Sequence, residues 1–379
     1  MKIEFLSGNE MTEKECLKLV RNISITLPPP QAAGKERKRL PMNQRAARNK
    51  TILEPVGGLE RVYQRLHFDE TCWAYMKLLR ENNKTKKVFD IDPYVEVYQF
   101  RENVYGLLAA SLDGGADVWM YLVIGQEKAM LVDAAWGLGN LKGLVDEITG
   151  GMPLIVVNTH CHFDHAYGNC QFDTVYCHEF EAPSLIAQNE HMWDYLFEED
   201  TGECIWDKFK REDLIPFKDY MVVACPDGYT FDLGKDHEIE LFFLGGHSAG
   251  HCGYLDKKNR IFFCGDDFIS MRVSIGGPKP GVCFGEYATV NAFYDRVAVL
   301  AERTNEFDSL FPGHFVVDIE SSVVHNMLAA CKDILEAPEK NNTAKMQGKN
   351  GSVYLKNVEG LGTIQYTSNS ILRPEQYLK

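Results

Sequence analysis

The sequence predicts an α/β fold, because its predicted strands fall into two runs and helices follow each run. The first run begins near residue 91 and leads to a short, strongly apolar strand at Leu154–Val157. The second begins near residue 238 and is followed by helices predicted over residues 288–303 and 321–335. Elements in this order bury their apolar faces by stacking as layers, so we expect two sheets with helices outside them.

The first 90 residues differ from the rest and are predicted to form a helical extension. Residues 58–82 carry apolar side chains at helical spacing, and residues 35–50 are rich in Lys and Arg. We favour this basic run as a solvated or subunit-contacting arm over a site for an acidic group such as a phosphorylated cofactor. Residues 91–379 then form the main domain. An extension of this kind is compatible with a homodimer.

The composition of the chain disfavours several classes of binding partner. The formal net charge is -14 at pH 7, which disfavours nucleic acid and an anionic membrane surface. No run approaches the roughly 18 apolar residues of a membrane span. The chain has 11 cysteines but no Cys-x-x-Cys pair, and its first residues lack an apolar signal-like segment. We therefore expect a soluble, cytoplasmic protein with free thiols and a small-molecule substrate.

A dense histidine motif follows the strand Leu154–Val157. Residues 158–165 read Asn-Thr-His-Cys-His-Phe-Asp-His. His160 and His162 share a face of an extended segment, because alternate residues point the same way. Asp164 and His165 fall where the chain is predicted to turn into a helix. Imidazole and carboxylate ligands suit Zn, Mn or Fe, so one loop could serve two adjacent metal ions.

Three further motifs each place a histidine or aspartate beside glycine after a predicted strand. They read Gly-Gly-His-Ser-Ala-Gly-His at residues 245–251, Cys-Gly-Asp-Asp at residues 264–267, and Phe-Pro-Gly-His at residues 311–314. A glycine at such a position lets the backbone turn, so that the next side chain can reach across a cleft. Each of these motifs is weak by itself.

Together and in this order, the motifs resemble the metallo-β-lactamase superfamily over about residues 91–366. The resemblance implies an αββα four-layer sandwich with a dinuclear metal site. It implies one ion held by His160, His162 and His247, a second held by Asp164, His165 and His314, and Asp266 as the bridge between them. His251 and Asp133 would support these ligands from behind, and Asp267 is a less favoured alternative to Asp266 as the bridge.

The resemblance further implies a hydrolase with two divalent metal ions, zinc by preference and manganese or iron as alternatives. A hydroxide bridging the ions would attack a small-molecule ester, thioester or lactone. Asp164 would be the catalytic residue that passes a proton to the leaving group. The chain looks closest to the glyoxalase-II and lactonase branches, because His162 stands where the flavodiiron proteins have glutamate and a large insertion of the RNA-processing type is not seen.

Other functions stay open on the residues alone. Phosphodiester hydrolysis is one. A non-haem iron enzyme similar to the persulfide dioxygenases is another, since those proteins keep much of this ligand set. A non-catalytic binding module is disfavoured, because all seven ligand positions are present.

The substrate pocket is predicted from aromatic residues outside the metal motifs. Residues 181–220 are rich in aromatic and acidic side chains and are interpreted as an inserted helical lid, with a dimer interface or extra packing as the alternative. Trp193 and Tyr195 in this segment are candidate substrate contacts. Met271 and Tyr287, which follow the Asp266 motif, are two more.

Overall fold

A computed structural model describes residues 1–6, 74–112, 116–204, 209–279, 282–348 and 351–373. The basic run 35–50 and most of the helix predicted over residues 58–82 lie outside these residues. The helix is described from Ala74 onward.

Nine strands form the first sheet, in the order β1-β9-β8-β7-β6-β5-β4-β3-β2. Neighbours from β2 to β6 are antiparallel, whereas β6, β7, β8, β9 and β1 are parallel. The strands are β1 (Lys2–Phe5), β2 (Lys87–Phe89), β3 (Asp92–Arg101), β4 (Val104–Ala109), β5 (Val118–Ile124), β6 (Ala129–Val132), β7 (Leu154–Val157), β8 (Thr174–His178) and β9 (Met221–Cys225).

Side chains of this sheet alternate between two apolar cores. On β5, Met120 and Leu122 face one core, while Trp119, Tyr121 and Val123 face the other. Successive side chains of a strand point to opposite faces, so a strand that is buried on both sides is apolar throughout. The first sheet is therefore an inner layer of the fold.

The second sheet contains six strands in the order β10-β11-β12-β13-β15-β16. Phe263 packs toward the first sheet and Phe262 packs away from it. The parallel pair β13 and β15 lies inside this otherwise antiparallel sheet. The strands are β10 (Thr230–Asp232), β11 (Glu238–Phe243), β12 (Cys252–Asp256), β13 (Ile261–Gly265), β15 (Ser309–Pro312) and β16 (Ile319–Glu320).

Helices cover the outer faces of the two sheets. Leu144 and Val145 belong to the outer core of the first sheet, and Phe293 and Met327 belong to that of the second. The layer order is therefore helix, sheet, sheet, helix, as expected for the αββα sandwich. The helices are α1 (Ala74–Asn82), α2 (Leu141–Thr149), α3 (Phe163–Ala166), α4 (Ala182–Ile186), α5 (Val290–Ala301) and α6 (Val323–Glu336).

A third, four-stranded sheet was not expected from the sequence. It has the order β14-β19-β18-β17 and packs Tyr354, Ile364 and Tyr366 into the outer core of the second sheet. Its strands are β14 (Arg272–Ser274), β17 (Ala344–Gly348), β18 (Gly351–Val358) and β19 (Gly362–Thr367). The parallel pairing of β14 with β19 joins segments about 90 residues apart, which local periodicity does not reveal.

Two segments of the predicted helical extension are strands instead. Lys2–Phe5 pairs in parallel with β9, and Lys87–Phe89 pairs with β3, so both edges of the first sheet come from residues 1–90. The prediction was wrong for these residues because each strand is only three or four residues long, and so short a segment carries little periodic signal. The boundary near residue 90 stays a prediction.

The described part of residues 181–220 contains little helix. It consists of α4, two short 3₁₀ turns and irregular chain. Trp193, Leu196 and Phe197 are buried in the outer core of the first sheet. The aromatic composition therefore reflects packing at least in part, and a lid role stays a prediction. None of the helices in the described ranges is both long and apolar enough to cross a lipid bilayer.

Candidate metal centre

The predicted ligands lie beyond the carboxyl ends of strands from both inner sheets. His160, His162, Asp164 and His165 follow β7 of the first sheet. The second sheet contributes residues that follow β11, β13 and β15, namely His247, Asp266 and His314. Because β6 and β7 are parallel, as are β13 and β15, these loops meet at one edge of the sandwich.

The first group of ligands consists of His160, His162 and His247. One nitrogen of each ring lies within 4.8 Å of the other two. Nε2 of His247 is 2.9 Å from Nδ1 of His162. Nε2 of His160 is buried and makes no hydrogen bond with the described residues. Three imidazole nitrogens therefore converge on one point.

The second group consists of Asp164, His165 and His314. Nε2 of His314 is 3.2 Å from Nε2 of His165 and 3.1 Å from Oδ2 of Asp164. All three side chains are largely withdrawn from solvent, and His165 is fully buried. Asp164 is the most exposed of the three, with 16% of its side chain accessible.

Asp266 lies between the two groups. Its Oδ1 is 3.3 Å from Nε2 of His165 and 3.5 Å from Nε2 of His314. Its Oδ2 is 3.6 Å from Nε2 of His247. One carboxylate oxygen thus faces each group. Asp267 instead accepts a hydrogen bond from the backbone N–H of His247 through Oδ1, so it points away from this position.

These donor atoms suit divalent metal ions. In a tetrahedral zinc site with Zn–N bonds of about 2.0–2.1 Å, neighbouring donors are about 3.3 Å apart. The separations between donors given above range from 2.9 to 3.6 Å. Imidazole nitrogens at such distances direct their lone pairs at each other unless a proton or a cation lies between them. Zinc, manganese and iron all bind such a set of imidazole nitrogens and carboxylate oxygens.

Three of the histidines form hydrogen bonds through Nδ1, the ring nitrogen that faces away from the site. These bonds fix the orientation of the rings. Nδ1 of His165 is 2.9 Å from Oδ2 of Asp133. Nδ1 of His247 is 3.0 Å from the carbonyl oxygen of Ser274, and Nδ1 of His314 is 2.8 Å from that of Asp117. A proton held on Nδ1 by these acceptors leaves the lone pair of Nε2 directed into the site.

The electrostatic surroundings of the two groups differ. Burial, reinforced by the neighbouring His247, lowers the pKa of His162 to about 3. Burial also lowers the pKa of His160 well below its usual value. In the second group, burial acts to lower the pKa of His314, but Asp266 and Asp164 outweigh it and raise that pKa to about 9. The first group is therefore neutral at pH 7, and the second retains protons that a metal ion must displace.

Two glycines allow the loops to approach this closely. A Cβ atom on Gly313 would lie 2.5 Å from Cε1 of His165 and 2.7 Å from Oδ1 of Asp266. Gly265 has φ +50°, and a Cβ atom there would lie 2.6 Å from Nε2 of His251. The glycines of the two motifs are thus required by space, and Gly265 also by its backbone conformation.

The structure also locates the two residues predicted to support the ligands. His251 accepts a hydrogen bond from the backbone N–H of Asp266 through Nε2, and its Nδ1 lies 2.7 Å from Oδ2 of Asp267. Asp133 accepts from the backbone N–H and the hydroxyl of Thr159, in addition to its contact with His165. Both lie behind the ligands. Thr159, Asp117 and Ser274 were not predicted, and the last two act through backbone carbonyls, which no side-chain motif reveals.

Two of the four predicted substrate contacts lie on the side of the site formed by α3. Tyr195 is 52% exposed, and its ring lies edge-on to that of Phe163, with centroids 6.4 Å apart. Trp193 is buried and donates its indole N–H to the carbonyl of Trp136 at 2.7 Å. It therefore lies behind this surface.

The other two predicted substrate contacts lie elsewhere. The carbonyl of Tyr287 accepts a hydrogen bond from the N–H of Gly246, next to His247, and its ring stacks on Phe180. The carbonyl of Met271 accepts from the N–H of Thr363 at the start of β19. Tyr287 thus lies beside the first ligand group, whereas Met271 joins the third sheet to the Asp266 loop.

A family model described as the metallo-beta-lactamase superfamily matches residues 113–270, which include every predicted ligand except His314. This match agrees with the layered fold and with the converging ligand loops. The chain therefore resembles the metallo-beta-lactamase superfamily over this region, as the sequence predicted.

Two mammalian proteins are similar to part of this chain. A human protein named acyl-coenzyme A thioesterase MBLAC2 is 29% identical over 217 residues, which cover 53% of this chain and 73% of that protein. The Bos taurus protein of the same name is also 29% identical, over 212 residues, and the matched region again covers 53% of this chain and 73% of that protein.

Solved structures were matched as well. A crystal structure of DIM-1 metallo-beta-lactamase exposed to ceftazidime is 20% identical, with a TM-score of 0.43, and the match covers 64% of this chain and 99% of that one. A metallo-beta-lactamase from Pontibacter korlensis is 17% identical, with the same TM-score, over 63% of this chain and 99% of that one.

Proposed function

We propose that this protein is a dinuclear metal-dependent thioesterase that hydrolyses acyl thioesters of the coenzyme A class. The observation that carries the dinuclear part is the position of Asp266, whose two oxygens face two separate ligand groups. His160, His162 and His247 would hold one ion, and Asp164, His165 and His314 the other. We propose zinc, because a histidine-rich set with carboxylate oxygens suits it, and manganese or iron would fit the same donors.

Bound ions would supply a Lewis acid and a water molecule whose pKa falls from about 16 toward about 7. The residues of the chain supply the rest. Asp133 and the carbonyls of Asp117 and Ser274 hold the imidazole rings in one orientation, so the donors need little reorganisation. Asp164, the most exposed member of its group, is placed to carry a proton between the site and a leaving group.

The choice of a thioester rests on the named relatives and on leaving-group chemistry. Both mammalian proteins are named acyl-coenzyme A thioesterases. A thiol has a pKa of about 8.5, so a thiolate can leave with little help from an acid. An alkoxide leaving group depends far more than a thiolate on protonation by an acid. A site whose one candidate acid is a carboxyl with a lowered pKa therefore suits a thiolate leaving group better than an alkoxide.

An aromatic surface lies beside the proposed ligands and favours a substrate with an apolar acyl group. Phe163 lies between the ligands His162 and Asp164 in the chain, and its ring is half-buried. It packs against Trp136 with centroids 4.8 Å apart and against Tyr167 at 6.2 Å. Tyr195 extends this surface into solvent. Aromatic rings of this kind line sites for apolar groups, and each buried CH₂ contributes about 0.8 kcal/mol.

A substrate panel tests the proposal. The protein is stripped of metal by a chelator and reloaded with zinc, manganese or ferrous iron. It is then assayed on short-chain and long-chain acyl-coenzyme A, an oxyester, a lactone and an aryl phosphodiester. We expect release of free thiol that depends on added metal and exceeds the rates on the other substrates. Faster phosphodiester cleavage, or oxygen consumption with persulfide that occurs only with iron, would favour the alternative functions instead.

The setting of the enzyme is part of the proposal. Nine cysteines of the described residues are free, which supports a reducing compartment such as the cytoplasm. The substrate would be a small molecule, and the strongly acidic net charge of -14 supports the absence of a nucleic-acid partner. A homodimer, the lid role of residues 181–220 and the substrate contacts of Trp193, Met271 and Tyr287 stay predictions.

A further inference from the structure

Glu181 is a buried carboxylate next to the metal centre that the ligand motifs do not include. Only 1% of the residue is exposed. Oε2 accepts a hydrogen bond from the backbone N–H of Cys161 at 2.9 Å. Oε1 accepts from the backbone N–H of Gly250 at 2.7 Å and from the hydroxyl of Ser248. Three donors therefore meet on one side chain.

These donors belong to the two loops that carry the first ligand group. Cys161 lies between His160 and His162, and Ser248 directly follows His247. The first loop leaves the first sheet and the second leaves the second sheet. Glu181 thus joins the two sheets at the place where the three histidines must converge.

The loop that carries Gly250 also packs closely against Glu181. A Cβ atom on Gly250 would lie 2.5 Å from the backbone nitrogen of Glu181 and 2.9 Å from its Cγ. The glycine of the second motif therefore makes room for Glu181. Among the described residues, no basic side chain forms an ion pair with this carboxylate. Burying a carboxylate without an ion pair costs free energy unless hydrogen bonds compensate for it. The three hydrogen bonds to Glu181 supply this compensation, so the carboxylate holds its three donors in place.

We propose that Glu181 is a positioning residue for one of the two metal ions, the one held by His160, His162 and His247. Its carboxylate fixes the spacing of the two loops, and its charge adds to the negative potential around that ion. The second group is held instead by Asp133 and the carbonyl of Asp117. This inference rests on the proposed dinuclear site.

Glu181→Gln tests this role with little change in side-chain volume. The amide replaces one carboxylate oxygen by an NH₂ group, so a donor that now meets an oxygen would face an N–H group instead. The affinity of each ligand group for zinc is measured separately. The His314→Ala background leaves the first group complete, and the His247→Ala background leaves the second complete. The matched control is Asp256→Asn, a buried carboxylate that bonds His237 at the far end of β12.

We expect Glu181→Gln to weaken zinc binding by the first group about 10- to 100-fold and to change binding by the second less than about 3-fold. Asp256→Asn should leave both affinities within about 3-fold, whatever it does to the unfolding temperature. Equal losses at both groups, or no loss at the first, would overturn the proposal.

Amide hydrogen exchange of the metal-free protein separates this proposal from the proposed function. Glu181→Gln should speed exchange at the N–H group of Cys161 or of Gly250, because the amide keeps only one of the two acceptor oxygens. Unchanged exchange at both would overturn the positioning role, even if the wild type binds two ions. Conversely, a wild type that binds two ions and hydrolyses no thioester would overturn the substrate assignment while the zinc affinities still decide the role of Glu181.

Discussion

Asp133 and His165 form a buried contact of 2.9 Å between Oδ2 and Nδ1, and this contact directs Nε2 of the histidine toward the second ligand group. The same carboxylate accepts from the backbone and hydroxyl of Thr159, whose hydroxyl in turn lies 3.0 Å from Nδ1 of His160. Asp133, at the end of β6, therefore orients His165 directly and reaches His160 only through Thr159.

The first prediction concerns this carboxylate. Asp133→Asn should lower zinc affinity at the second group about 10- to 100-fold, because an amide cannot satisfy Thr159 and also accept from His165. Isothermal titration with zinc measures the change. Asp173→Asn, which alters an exposed partner of Lys218, is the control and should bind zinc like the wild type. Normal zinc affinity in Asp133→Asn would show that the orientation of His165 does not depend on this bond.

Gly313 provides a steric prediction. Gly313→Ala should reduce both metal content and activity at least about 10-fold, since the added methyl group would overlap His165 and Asp266. The matched control is Gly276→Ala, where the added methyl group meets only the flexible end of Lys279. Metal analysis and a thioesterase assay on both variants decide the point. An active, metal-loaded Gly313→Ala protein would mean that the loops are not this close.

Proton release on metal binding should distinguish the two groups. His162 has a pKa of about 3 and is already neutral at pH 7, whereas His314 has a pKa of about 9 and is still protonated. Metal must displace that proton, so affinity at the second group should rise as pH increases from 7 to 9. Affinity at the first group should be nearly constant over the same range.

Calorimetric titrations in buffers of different ionisation enthalpy measure this release directly. We expect one binding step to release about one proton or more at pH 7 and the other to release almost none. Equal proton release in the two steps would contradict the electrostatic difference between the groups.

Tyr195 should select for long acyl chains. Tyr195→Ala should lower kcat/KM for a long-chain thioester about 5- to 10-fold while leaving a short-chain thioester nearly unchanged, because only the longer chain reaches the exposed end of the aromatic surface. Met346→Ala, at another exposed apolar residue, is the control. A uniform effect on both chain lengths would place the acyl group elsewhere.

Much of the fold and the ligand set could be predicted because the signals are local. Strands such as β7 are apolar runs bounded by turns, and the ligands cluster in short motifs after them. The seven predicted ligands lie together in the structure, with Asp266 between the two groups, and their role as metal ligands stays a prediction. The αββα layers are confirmed, and the family match supports the predicted resemblance.

What the sequence could not reveal depends on pairing between distant segments. The edge strand β1 is identified by its partner β9, and the third sheet by the contact of β14 with β19. Glu181 is one acid among many in residues 181–220, and only the fold brings it to Cys161 and Gly250. The carbonyls that orient His247 and His314 belong to residues whose side chains are irrelevant to the contact.

The most direct test of the central claim is the metal content of protein purified without chelators, measured by mass spectrometry for the wild type, His160→Ala, His247→Ala and His314→Ala. We expect about two zinc or manganese ions per wild-type chain and about one per chain in His247→Ala and in His314→Ala, each of which keeps one ligand group complete. His160→Ala should also lose metal. A single iron per wild-type chain, or no metal after loading with any of these ions, would contradict the dinuclear hydrolase.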